Sequence, residues 1–392
     1  MKHRIVVLGA GYAGAFAAGN LARRLKPADT EITVVSADPY FVERMRLHQL
    51  ASGQNFRMRP LADVFAGTGV RVRVARVTAL DVESRTVTLD DGELSYDTLL
   101  YALGSTVADH GVPGVAEHAF HVCDRASALR LRERLDGLGE GAHVLVVGEG
   151  LTGIETVTEI AESRPGLNVA LAARGEPGDW LSPGARRHLR RAFERLGITV
   201  HDHTAIERVE PTRAIAADGT VLAADATVWA GGFAVQPIAA DSGLKVAGTG
   251  QIIVDRDMRS VSHPDVYAAG DSAFVIGSNG RPLPMSCFSA GFTGIQATNA
   301  IVGHLTGRKV RSIPLAYYGN HISLGRRDAI FQFVDRDVRA YSWSLRGRTA
   351  ARLKDTVLRG ATWNTHHPTF GLPTRRHRLA GGRDRSAEAA LV

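Results

Sequence analysis

The 392-residue sequence predicts an α/β fold with two parallel sheets and a small α+β region near the C-terminal side. Three observations carry that prediction. The apolar run Ile5-Val6-Val7-Leu8 enters a glycine turn, Gly9-Ala10-Gly11-Tyr12-Ala13-Gly14, and then an alanine-rich segment, which reads as strand, turn and helix. His143 to Val147, followed by Gly148-Glu149-Gly150-Leu151-Thr152-Gly153-Ile154-Glu155, repeats the theme. A further short apolar strand, Val266 to Ala269, ends in Gly270-Asp271. In such a turn the first glycine makes the bend, the second lets backbone approach a pyrophosphate without a Cβ, and the third lets helix pack on strand. The helix N-terminus then offers free N–H groups to the phosphates. Two such cradles in one chain imply two Rossmann-like dinucleotide-binding units.

Composition sets the outer limits. The chain is longer than one core usually supports and 44% of it is hydrophobic, so two or three packed domains are expected. No run approaches the roughly 20 apolar residues of a membrane helix, and the first strand starts by Ile5, so a cytoplasmic protein without a leader is expected. Only Cys123 and Cys287 are present, in no CxxC spacing, which argues against a disulfide framework and against a metal centre. The net charge of +7 sits in Arg-rich segments without interleaved aromatics, so a nucleic-acid partner is not expected.

Along the chain, a helix follows the first turn to about Leu25, and Glu31 to Val35 forms a second strand ending at Ser36, with Asp38 two residues on. A carboxylate normally takes the adenosine ribose hydroxyls at that tip. Ser36 can do so more weakly. Phe41 to Gln49 is a charged stretch ahead of a helix, and includes Arg44 and His48 one helical turn apart. Arg71 to Val77 and Thr86 to Leu89 read as an antiparallel hairpin, with a turn at Asp90-Asp91-Gly92. Leu99 to Leu103 is a buried strand. After the second glycine turn come the strand Asn168 to Ala172, the basic helix Arg186 to Leu196, a hairpin over Glu210 to Val221, and the strand Ala226 to Gly232. Ser286 to Leu305 is a helix, Ile322 to Leu324 and Ala329 to Val334 are strands, and Arg352 to Leu358 is a short basic helix. The last twenty residues, rich in Gly, Arg and Ala, are expected to be disordered.

In this order the motifs resemble the two-dinucleotide-binding-domain flavoproteins, and within them the type II NADH dehydrogenase-like branch of the pyridine nucleotide-disulfide oxidoreductases. The resemblance covers roughly residues 4 to 335 and rests on four segments. Gly9-x-Gly11-x-x-Gly14 matches the FAD fingerprint. Tyr96 to Ser105 matches the crossover between domains, with Leu103 where threonine is usual. Gly148-x-Gly150-x-x-Gly153 matches the NAD(P)H fingerprint. His263 to Asp271 matches the second FAD motif, and Thr227 to Gly232 is similar to the strand beside the nicotinamide. The resemblance implies FAD and NADH or NADPH as cofactors. It places Gly9, Gly11, Tyr12, Ala13, Gly14, Ser36, Arg44, Val77, Ala102, Gly104, Gly270 and Asp271 at the FAD, and Gly148, Gly150, Gly153, Arg174 and Gly231 at the nicotinamide nucleotide. Glu155 resembles the residue that holds the nicotinamide carboxamide, and His48 is a candidate proton donor.

The implied division is an FAD-binding domain over 1–112 and 236–308, an NAD(P)H-binding domain over 113–235, a cap or interface region over 309–370 and a tail over 371–392. The departures narrow the reaction. Disulfide reductases carry a cysteine pair where Arg44 to Ala51 stand here, so thiol-disulfide exchange is not expected. Quinone-binding glutamines of the type II enzymes are replaced by Phe288 and Phe292, an aromatic face that can stack on a planar ring. Arg174 at the tip of the second domain's second strand, without a carboxylate, favours NADPH or dual use. The expected activity is hydride transfer from NAD(P)H to FAD and onward to a diffusible, quinone-like small-molecule acceptor. A membrane-surface quinone reductase and a slow flavin-bearing redox sensor are the alternatives. Membrane contact is disfavoured because no strongly amphipathic C-terminal helix is read, and a homodimer through 309–370 is compatible with the sequence.

Overall fold

The computed structural model describes residues 1–371 and 374–380. The first glycine turn sits at the C-terminal end of the central strand of a five-stranded parallel sheet. Its order is Val266–Ala268, Thr98–Tyr101, His3–Leu8, Thr30–Ser36 and Val70–Val74. The second turn occupies the same position in a second five-stranded parallel sheet: Thr199–His201, Asn168–Ala172, His143–Val147, Ala226–Trp229 and Ala119–Phe120. In both sheets the strand order reverses about the glycine-bearing strand, which opens a crevice at its carboxyl end. Ile5, Val7, Leu8, Leu99 and Leu100 are fully buried, as continuous apolar strands covered on both faces must be.

The glycines are explained by close approach. Gly9 has φ +97°, and a Cβ on it would lie 2.2 Å from the Ala102 carbonyl oxygen. On Gly14 a Cβ would lie 2.0 Å from Gly9 O. Gly148 and Gly153 repeat the pattern, at 2.3 Å from Ala230 O and 1.8 Å from Gly148 O. The two fingerprints are thus the same packing solution used twice.

Three readings are corrected. Arg71 to Val77 is not one arm of a hairpin. Val70–Val74 joins the first parallel sheet beside Thr30–Ser36, and it is Val77–Asp81 that pairs antiparallel with Thr86–Leu89. Alternating apolar residues fit either partner, and only the tertiary neighbour decides. The C-terminal helix is not short: it runs from Gly347 to His366, with Ala350, Lys354 and Leu358 buried and Val357 and Trp363 exposed. Part of the tail is ordered, because His377 N donates to Arg24 O and His377 O accepts from Lys26 N, while Ala380 N donates to Leu305 O. The rest of the tail, 381–392, lies outside the described residues. Among the described residues, no helix is long and apolar enough to cross a membrane.

The 319–346 region is a three-stranded antiparallel sheet, Gly319–Ser323, Ala329–Val334 and Ala340–Arg346, with a turn at Asp335 to Asp337. The Gly347–His366 helix packs on this sheet.

Candidate active site

One cavity of about 1090 Å³ is lined by Gly148 to Thr152 of the second glycine turn and by Tyr12 of the first. Tyr12, Arg44, His48, Gly148, Gly150, Glu155, Arg174, Gly231 and Phe288, all anticipated from sequence, line it. Gly9, Gly14, Ala102 and Gly153 lie behind the lining and shape the turns. Gly11 and Gly150 have open space where a Cβ would stand, with nothing within 4 Å. Each also caps the helix that follows it, with no side-chain partner at the cap. Such bare, positively polarised helix ends suit a pyrophosphate, so the residues present fit both dinucleotides.

Three separated motifs close into one hydrogen-bonded chain. The Arg44 guanidinium donates to Ser105 O at 2.6 Å and to Ser105 Oγ at 2.9 Å, and Ser105 Oγ donates to Asp271 Oδ2 at 2.6 Å. Arg44 also lies over the Phe233 ring, 5.2 Å from its centroid. A Cβ on Gly104, which has φ +72°, would lie 3.7 Å from the Arg44 guanidinium; Gly270, at φ +70°, donates its N–H to Thr293 Oγ1. Thr293 belongs to the Cys287–Thr306 helix, whose N-terminus, capped by Ser286, opens on the cavity. Ser36 Oγ donates to Asp38 O at 2.8 Å. Val77 starts its strand within the core, and Ala13 packs near Gly270 and Gly294.

Glu155 is not a solvated helix-surface acid. Lys354 Nζ, from the C-terminal helix, donates to Glu155 Oε1 and, at 3.2 Å, to His321 O. Ser323 N donates to the same Glu155 oxygen at 2.9 Å. Lys354 is buried, and burial pushes its ammonium down from the usual lysine range to about 7. His48 is buried beside it, and desolvation together with the Lys354 and Arg46 charges pushes its imidazole down to about 3. It is therefore neutral at pH 7, with Nε2 buried and unpartnered. Burial likewise lowers His321 to about 4 and raises the Cys287 thiol to about 12, so neither is ionised near neutrality. Sequence reasoning missed Lys354 and His321 because their partner lies far away in the chain; nothing local marks them.

It also missed Glu149. Its Oε2 accepts from Arg174 N at 3.2 Å, so a carboxylate does stand beside Arg174, supplied from inside the fingerprint turn. The far wall is aromatic: Phe288 packs against Phe292 at 4.9 Å and near Tyr317 and Tyr318.

Two cradles converging on one cavity, with a hydrogen-bonded arginine and aspartate on one side, define a two-dinucleotide flavoprotein oxidoreductase. Residues 3–294 match the pyridine nucleotide-disulphide oxidoreductase family, and the chain belongs to it. It is 32% identical over 354 residues to an NADH dehydrogenase-like protein of Mycobacterium tuberculosis, covering 84% of this chain and 87% of that one. It is 26% identical to a type II NADH:quinone oxidoreductase of Staphylococcus epidermidis, covering 91% and 94%. In fold it is similar to NDH2 of Plasmodium falciparum solved with NADH, with TM-score 0.79, 16% identity and coverage of 94% and 97%. Similarity to the sulfide:quinone oxidoreductase of Aquifex aeolicus is comparable, at TM-score 0.78, 20% identity and coverage of 96% and 97%. The protein is an oxidoreductase of the NADH dehydrogenase-like kind, and its cofactors are FAD and a nicotinamide dinucleotide.

Proposed function

We propose that the enzyme oxidises NADH through FAD and reduces a quinone-like acceptor in the same cavity, with Lys354 and Glu155 supplying the proton. FAD, when bound, takes hydride from the nicotinamide and passes two electrons on. Reducing a quinone to its hydroquinone consumes one proton beyond the hydride of NADH. The observation that supports this reading most is the buried Lys354–Glu155 pair in the wall of a cavity shared by both cradles. An ammonium titrating near 7 is matched to proton donation at neutral pH, and Glu155 holds it toward the cavity. Neutral His48, with an unpartnered Nε2, is suited to hydrogen-bonding rather than to carrying a net proton. Phe288, Phe292 and Tyr317 offer stacking faces to a planar ring and exclude water from it. Glu149 favours NADH, since its carboxylate accepts from a ribose 2′-hydroxyl and repels a 2′-phosphate.

The test is anaerobic mixing of the FAD-loaded protein with NADH, followed by menadione. Rapid bleaching of the flavin band and its rapid return on adding the quinone are expected. A reduced protein that persists in the presence of quinone would refute the reading and favour a redox sensor.

One observation favours an acceptor delivered from a lipid surface. Phe288, Val338 and Val357 line the cavity yet are 36%, 39% and 41% exposed, so its mouth is apolar. A long-chain quinone in vesicles should then be reduced with lower KM than menadione, and Val357→Asp should reverse that order. Equal KM values for the two quinones would remove this second reading.

A further inference from the structure

On the far side of Lys354 lies a second cavity of about 510 Å³ that the redox chemistry does not use. Its walls include Arg46, Arg326, Arg327, Arg348, Arg352 and Lys354 against only two carboxylates, Asp328 and Asp355. Three of these cations are already matched: Arg46 to Glu43 and Asp355, Arg326 to the fully buried Glu159, and Lys354 to Glu155. Both acids are matched as well. Asp328 accepts from His188 and Arg195 at 2.8 and 2.9 Å, and Asp355 pairs with Arg359 at 2.8 Å. Among the described residues, the side chains of Arg327, Arg348 and Arg352 have neither an ion pair nor a hydrogen bond. Three solvent-exposed guanidinium groups without a carboxylate partner therefore line one recess.

Their placement sharpens the imbalance. Arg348 and Arg352 stand in the first turns of the Gly347–His366 helix, whose cap, Arg346, supplies no side-chain acceptor and whose first turn has no acid. Cations at the positive end of a helix repel its dipole, and an anion bound there relieves both costs. Guanidinium forks match a phosphoryl group in shape and charge, and the exposed Arg327, Arg348 and Arg352 can meet one from solvent.

We propose that this second cavity binds a small phosphoryl-bearing anion, gripped by Arg327, Arg348 and Arg352. The proposal is independent of the acceptor assigned above. The group could belong to a soluble phosphate ester or to a lipid headgroup, and both present the same oxygens to the arginines.

The test uses the FAD-loaded full chain saturated with NAD⁺, so that both dinucleotide cradles are filled. Inorganic pyrophosphate is titrated calorimetrically, and in a parallel arm phosphatidylglycerol vesicles are sedimented with the protein. Saturable one-site binding of pyrophosphate is expected, with the double variant R348A/R352A weakened about a hundredfold and each single variant about tenfold. R348K should lose part of that, since charge remains but the fork is gone. Flavin content and melting temperature without ligand check that the variants fold. Vesicle binding that depends on the same arginines, with no pyrophosphate binding, assigns the phosphate to lipid. The proposal is overturned if neither probe binds, or if both bind R348A/R352A as well as the parent.

Discussion

Replacing Glu155 with glutamine isolates the buried ion pair, because Gln keeps an oxygen for the Ser323 N–H and removes only the charge facing Lys354. The size of the loss depends on pH. Lys354 titrates near 7, so at pH 6 its ammonium is mostly charged and the variant must either hold it unpaired or neutralise it. Neutralising a group about one unit below its pKa costs roughly 1 kcal/mol, and the lost hydrogen bond adds a similar amount. The variant should therefore lose about 2 kcal/mol at pH 6 and only about 1 kcal/mol at pH 8.5, where the amine is already neutral. Urea unfolding of the FAD-loaded protein at the two pH values measures both. Lys354→Met provides the matching linkage test. The folded-state pKa of about 7 lies below the ordinary lysine value of 10.5, so between those values the unfolded chain binds the extra proton. Lys354 thus makes stability rise with pH through that window, and the parent-minus-variant difference should rise by several kcal/mol. In the same variant, flavin reoxidation by menadione should slow on the order of a hundredfold and lose its inflection near pH 7, with reduction by NADH little changed. An Glu155→Gln penalty equal at both pH values would refute the buried-pair argument, and an unchanged reoxidation profile in Lys354→Met would refute the proton role.

Gly11→Val should fold with a near-parental urea midpoint yet purify without flavin colour, because its side chain enters open space that the pyrophosphate needs. Gly14→Ala should instead destabilise the fold by several kcal/mol, since its Cβ would stand 2.0 Å from Gly9 O; urea unfolding separates the two. Glu149→Ser should raise kcat/KM for NADPH relative to NADH by about tenfold or more, as a carboxylate facing a phosphate is removed; an unchanged ratio places the discrimination elsewhere. Cys287→Ala should leave both half-reactions within about twofold in stopped flow, because its thiol stays protonated up to about pH 12.

Both cradles are legible in the amino-acid order alone. Gly9, Gly11 and Gly14, and again Gly148, Gly150 and Gly153, answer to constraints that act within a few residues: a turn, a bare approach and a helix seat. Apolar strands buried on both faces are legible for the same reason. Local pattern could not decide whether Val70–Val74 pairs sideways into the parallel sheet or back into a hairpin, since its alternation satisfies both. Nor could it foresee how far the C-terminal helix extends, because its length is set by packing on the 319–346 sheet. Lys354 against Glu155, Glu149 against Arg174 and the arginine-lined second cavity all depend on side chains that the chain brings together only by folding. Their energies come from desolvation and charge at short range, and neither exists until the tertiary structure removes water and fixes the distance.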